Sequence, residues 1–178
     1  MTQSAPDHVD RLLAQWCRER PELETSPMGL FGRLARIERL SDEIFTESLA
    51  RHGLQPGWFD LLAALRRAGA PYELNPTALT RATMLSSGGT TKRLDRIAKA
   101  GLVQRRPDPE DRRGTLVRLT RRGKGVIDGA VEAHLKNEAR LLRSFTPAEL
   151  RAFENLLRKL LRELERGDRS LREPLDHD

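Results

Sequence analysis

One stretch, residues 86–120 (SSGGTTKRLDRIAKAGLVQRRPDPEDRRGTLVRLT), constrains the fold of this chain more than any other. A helical run with apolar Leu94, Ile97 and Ala98 at helical spacing ends at Gly101. Two β-type runs follow, 102–106 and 115–119. The residues between them, PDPEDRRG, have the Pro, Asp and Gly chemistry of a turn. The order is a helix backed by a β-wing, which lays a helix in a DNA groove and a basic loop beside it. The charge agrees. Residues 81–124 hold 13 Lys or Arg against 4 Asp or Glu, a surplus of nine, whereas the whole chain carries +6. The basic excess is therefore local, as expected for phosphates rather than for general solubility.

The flanking sequence predicts helices. Residues 6–20 place Val9, Leu12, Leu13 and Trp16 on one face, with Ser4 as a cap and Pro21 as a stop. A second helix over 28–51 carries Leu30, Phe31, Leu34, Ile37, Ile44, Phe45 and Leu49. Three short helices follow, at 57–68, at 76–82, and from a Ser86 or Ser87 cap to Gly101. The last two have helix-turn-helix spacing. Two long helices close the chain, one over 122–144 and one opened by Thr146-Pro147-Ala148-Glu149, a capping-box pattern with Pro at its first position. The stripe of the last helix runs Leu150, Phe153, Leu156, Leu157, Leu160, Leu161, Leu164. At roughly 1.5–3 kcal/mol per buried large side chain, it suffices for a dimer interface. The expected architecture is mainly α with a small β-wing. Residues 1–24 form an extra N-terminal helix and linker, 25–53 and 121–167 dimerisation helices, 54–120 a winged helix-turn-helix DNA-binding domain, and 168–178 a frayed tail.

A helical wheel centred on Leu94 puts Ile97, Ala98 and Thr90 on the buried side and Lys92, Arg96 and Lys99 opposite, with Gly89 among them. Gly88 and Gly89 let a phosphate or base edge approach the backbone near the helix start, where free N–H groups favour phosphate. The candidate DNA contacts are Ser87, Gly88, Gly89, Thr91, Lys92 and Arg96 from the helix and Asp111, Arg112 and Arg113 from the wing. Arginines on such a loop suit a narrow minor groove, and Asp111 can hold one guanidinium in place. A basic helix face solvated by chance is the competing reading; the wing arginines weigh against it.

The run Asp111-Arg112-Arg113-Gly114-Thr115-Leu116-Val117-Arg118-Leu119-Thr120 resembles the DxRxxxVxLT wing signature of the MarR family of bacterial transcriptional regulators. Asp111, Arg113, Val117, Leu119 and Thr120 fill its fixed positions. The resemblance extends over essentially the whole chain. It implies a homodimer with interlocked terminal helices whose two recognition helices read a pseudo-palindromic operator. Four local motifs are similar to the PecS-type, urate-responsive branch: LLAQWCRERP, FDLLAALRR from Phe59, GAPY from Gly69, and KRLDR from Lys92. In that branch a Trp, an Asp and two Arg couple a purine pocket to the recognition helix. The resemblance implies those ligand-binding roles for Trp16, Asp60, Arg93 and Arg105. The wheel sends Arg93 off the helix flank towards the helix bearing Asp60, and Arg105 is expected to reach the same region. An anionic ligand beside Asp60 meets like-charge repulsion and competes for the arginines, which favours a form that does not bind DNA. Trp16 also reads as a packing residue, and Asp60 as one half of a structural ion pair.

The single Cys17 excludes an internal disulfide and a cysteine-based zinc site within one chain. With Arg18 and Arg20 nearby it reads as a partly buried inert thiol beside Trp16 or as a redox sensor. The alternative function is thus a MarR-type regulator answering to phenolic ligands or to oxidation of Cys17. His8, His52, His134 and His177 form no metal-ligand pattern, and His134, near Glu132 and Glu138, reads as a solvated helix edge. Gly88-Gly89 follows Ser-Ser with no strand before it, unlike a phosphate-binding loop, and no Ser, His and Asp arrangement is evident. The expectation is no enzyme, no cofactor and no metal. No run approaches eighteen apolar residues and the N-terminus lacks a signal pattern. The expected setting is the cytoplasm without membrane, and the expected partners are double-stranded operator DNA, a second copy and a small anionic ligand, urate or a related purine.

Overall fold

The computed structural model describes residues 5–83, 89–109, 111 and 114–166. Their order is α1 (His8–Glu19), α2 (Ser26–Ala50), α3 (Trp58–Arg67), β1 (Glu73–Leu74), α4 (Pro76–Arg81), α5 (Thr90–Lys99), β2 (Val103–Pro107), β3 (Thr115–Leu119), α6 (Arg121–Leu141) and α7 (Pro147–Glu165). The fold is mainly helical with a small sheet, a winged helix. The chain divides into two compact units, Met1–Asn137 and Glu138–Asp178.

In the first unit α1 packs on α2. Asp7 caps α1; Ser4, the expected cap, lies outside the described residues. The Asp7 side chain accepts from the Asp10 N–H and the Asp10 carboxylate accepts from the Asp7 N–H, each at 2.9 Å. Arg33 on α2 selects this cap, donating from Nε to Asp7 at 2.8 Å and from Nη2 to Asp10 at 2.5 Å. Val9 and Leu13 sit over Gly32 and Gly29, where an added Cβ would come within 3.2 Å of each. Packing therefore falls to Val9 and Leu13, while Leu12 and Trp16 look outward, each 44% exposed.

The core lies under α3. Its residues 61–65 are all buried, so this helix is apolar most of the way round and must be enclosed. Leu79 of α4, Leu94 and Ile97 of α5, Val117 of β3 and Ile127 of α6 complete the enclosure. Asn75 caps α4, its Oδ1 accepting from the Ala78 N–H at 2.8 Å, with Pro76 at the first position, where a missing N–H costs nothing.

The expected hairpin is part of a three-stranded antiparallel sheet in the order β1-β3-β2. β2 pairs with β3 from Val103↔Leu119 to Pro107↔Thr115, and β1 adds Glu73↔Arg118 and Leu74↔Val117. A two-residue strand has no periodicity to read, which is why sequence reasoning passes over β1.

Thr120 joins β3 to α6. Its N–H donates to the Leu102 carbonyl at 3.0 Å, its hydroxyl donates to the Gly101 carbonyl at 2.8 Å, and that hydroxyl accepts the Gly123 N–H at 2.9 Å. Gly123 lies so close to Leu102 that an added Cβ would be 1.9 Å from its carbonyl oxygen. The end of α5 and the start of α6 are thereby locked together.

In the second unit α7 has the expected capping box. The Thr146 N–H donates to Glu149 at 2.7 Å and the Glu149 N–H to Thr146 at 3.3 Å. The first of these holds the Glu149 carboxyl below its ordinary value. No α7 residue is buried, and Leu156 is 67% exposed.

Candidate nucleic-acid interface

α5 begins at Thr90, with Gly89 as its N-cap at φ 84°. Glycine adopts this left-handed conformation without a steric penalty, so the helix starts there and not at a serine cap. Ser86, Ser87 and Gly88 lie outside the described residues. Thr90, Leu94 and Ile97 are buried, whereas Gly89, Thr91, Lys92, Arg96 and Lys99 are exposed. The face drawn from helical spacing is the face the fold presents.

The wing has a tight tip. The Gly114 N–H donates to the Asp111 carbonyl at 2.8 Å, and the Gly114 carbonyl accepts from the Asp108 N–H at 3.1 Å. A Cβ on Gly114 would come 2.9 Å from Asp108 Cβ and 3.1 Å from Asp111 Cβ, so the turn needs glycine. Asp111 is exposed; Arg112 and Arg113 lie outside the described residues. At the base, Val117 and Leu119 are buried and Thr120 ties α5 to α6. The Val, Leu and Thr of the wing signature thus fix the base from which the loop projects.

Arg93 is half-buried against the start of α3, where an added Cβ on Gly57 would stand 2.9 Å from its Nε. Asp60 is half-buried in the first turn of that helix. Arg93 thus lies against the N-terminal end of the helix that carries Asp60, and Asp60 forms no ion pair with a described residue. Arg105 behaves otherwise. Its Nη2 lies 2.8 Å from Asp95, and two helical residues apart, Arg93 and Asp95 leave α5 about 200° from each other. Arg105 is held on the opposite flank, which corrects the expectation that it reaches the region of Asp60. It lines an open cleft of about 630 Å³ between α5 and the wing, with Pro76, Thr91, Leu94 and Arg106. Trp16 stands on the outward face of α1.

Several side chains are placed as no sequence pattern foretold. His134 is packed by the rings of Phe45 and Phe59, centroids 4.5 and 4.8 Å away, and is not a solvated helix edge. Cys17 is exposed, not partly buried, with Sγ 3.7 Å from Thr25 Oγ1. Tyr72, at φ 63°, lies beneath the Arg66 guanidinium and the Lys124 ammonium, 5.0 and 5.7 Å from its ring centre. Asp128 accepts from Lys124 at 2.9 Å and Arg66 at 2.6 Å, and these bonds hold its carboxyl below the ordinary value, Lys124 contributing most. Glu73 takes Arg106 at 2.6 Å. Among the described residues no group of His, Cys, Asp and Glu is arranged to hold a metal ion, and no helix is long and apolar enough to cross a membrane.

The MarR-family sequence pattern matches residues 52–114. The chain is 37% identical over 156 residues to the HTH-type transcriptional regulator PecS of Dickeya dadantii, covering 88% of this chain and 94% of that one. It is 31% identical over 134 residues to the multiple antibiotic resistance protein MarR of Escherichia coli, covering 73% and 90%. The fold is similar to the crystal structure of a cysteine-to-serine variant of E. coli MarR complexed with operator DNA. The TM-score is 0.66 at 27% identity, over 77% of this chain and 97% of that one.

Proposed function

Because the chain belongs to the MarR family of DNA-binding transcriptional regulators, and not to a family of enzymes, we propose that it acts in the cytoplasm as a homodimeric repressor. It binds a pseudo-palindromic operator and is released by urate or a related anionic purine. The observation that carries the DNA-binding half is the face of α5. With Thr90, Leu94 and Ile97 sunk in the core, Thr91, Lys92, Arg96 and Lys99 stand out together. In this reading Gly89, Thr91, Lys92 and Arg96 enter the major groove with Ser87 and Gly88. Asp111, Arg112 and Arg113 bring the wing to the flanking backbone and minor groove. The bare apolar stripe of α7 and the exposed Met28, Leu30, Phe31 and Ile37 of α2 support a second copy as partner, with 25–53 and 121–167 as the dimerisation segments.

The ligand half rests on Arg93, which reaches from α5 to the end of α3 that carries Asp60. An anion lodged there is repelled by Asp60 and draws on Arg93, so the recognition helix is pulled by its flank. The role of Trp16 as an aromatic wall rests on the family resemblance alone, since it stands on the outward face of α1, and Arg105 joins only by leaving Asp95. Release requires the ligand to bind the DNA-free form more tightly, and linkage makes the effect reciprocal.

The test is operator binding at fixed salt, titrated with urate and with an uncharged purine. Release by urate alone, blunted in Asp60→Asn, is the expected result. Tight binding that urate leaves unchanged refutes the ligand assignment, and absence of operator binding refutes the regulator. A second reading has its own observations: the cleft beside Arg105 is of a size for a phenolic ligand, and Cys17 is exposed to oxidants. Peroxide that abolishes binding in the wild type but not in Cys17→Ser would favour the thiol.

A further inference from the structure

We infer that Glu73 is the positioning residue that sets the angle of the wing, acting through Arg106; this rests on the reading that the wing contacts DNA. Glu73 belongs to β1, an edge strand of two residues, yet its side chain is only 11% exposed. Its Oε1 accepts from Arg106 Nη2 at 2.6 Å. Its Oε2 is buried without a hydrogen bond to a described residue, with Arg118 Nε 4.0 Å away.

Register gives the contact its meaning. Glu73 stands opposite Arg118 of β3, and Arg106 is on β2, the far edge of the sheet. The carboxylate on one edge strand thus grips a guanidinium on the other, across the strand between them. Arg106 immediately precedes Pro107, the last residue of β2, so the grip falls where the hairpin leaves the sheet. A buried carboxylate is a costly way to pack a short strand. What it adds is direction, because a charge-assisted bond holds both partners in one geometry. Glu73 is itself anchored through Tyr72, whose ring lies under Arg66 and Lys124 and whose carbonyl accepts the Leu119 N–H at 3.1 Å. The contacts run unbroken from α3 and α6 to the wing.

The experiment is operator binding by the full chain across a salt series, for wild type, Glu73→Gln, Arg106→Gln and the double variant. Glu73→Gln is expected to weaken binding about tenfold and to flatten the salt slope by about one unit, as wing phosphate contacts are lost. In the Arg106→Gln background the same change should add less than about twofold. A lowered urea midpoint with an unchanged salt slope would mean a merely structural role and overturn the inference. Amide hydrogen exchange without DNA is the second arm. Residues 103–106 and 115–119 should exchange faster in Glu73→Gln while α6 does not, and unchanged protection there also overturns the inference. Failure of the wild type to bind operator would refute the regulator reading instead and leave the exchange arm to decide the clamp.

Discussion

Gly123→Ala tests the junction between the recognition helix and α6. An alanine Cβ at this position would lie 1.9 Å from the Leu102 carbonyl oxygen and 2.8 Å from its carbonyl carbon. Both obstacles are backbone, so no side-chain rotation relieves the clash, and the two segments must part by more than an ångström. That separation breaks the bonds that close the junction, Thr120 N–H to Leu102 at 3.0 Å and Thr120 hydroxyl to Gly101 at 2.8 Å. Overpacking costs about 1–3 kcal/mol and two lost hydrogen bonds about 1 kcal/mol each. Against this, alanine gains about 0.5–1 kcal/mol over glycine in a helix. The net loss is about 2–4 kcal/mol, a large part of the stability of an ordinary domain. In a urea titration the midpoint should fall by roughly 1–2 M at a typical slope. Gly125→Ala is the control two residues on: nothing stands within 4 Å of its Cβ, so it should be neutral or stabilising by up to about 1 kcal/mol. A Gly123→Ala protein as stable as Gly125→Ala would refute the close approach of α6 to Leu102.

Three more outcomes are expected. Leu79→Ala, at a fully buried site on α4, should cost about 2–5 kcal/mol, and a urea midpoint near wild type would refute its place in the core. The Asp128 carboxyl, held below its ordinary value of 3.8 by Lys124 and then Arg66, contributes stability that is complete above that value and is lost as pH falls through its lower folded value. Asp128→Asn should therefore flatten the acid limb of urea midpoint against pH below about pH 4, and an acid limb identical to wild type would remove the Lys124–Asp128–Arg66 cluster as its source. Leu156→Glu together with Leu161→Glu, at exposed positions of the α7 stripe, should shift the sedimentation velocity from dimer to monomer. An unchanged dimer would place the interface elsewhere.

Much of the recognition surface can be read along the chain because it depends on local spacing. Thr90, Leu94 and Ile97 recur at helical intervals, so whatever covers them leaves Lys92, Arg96 and Lys99 outside. The α7 capping box is legible for the same reason, since its partners are three residues apart and need nothing from the rest of the fold. Choices among equivalent partners are different. Ser4 and Asp7 both offer a helix cap, and Arg33, 26 residues further on, decides for Asp7. Arg105 has several carboxylates to choose from by charge alone, and the closeness of β2 to α5 assigns it to Asp95. The Glu73–Arg106 grip spans 33 residues and exists only because β3 lies between its two strands. His134 gains its aromatic neighbours from α2 and α3. Periodicity fixes which face a helix turns inward, because one chain segment carries all the information. Charges and aromatic rings are interchangeable at a distance, so their pairing waits until tertiary packing has set which of them touch.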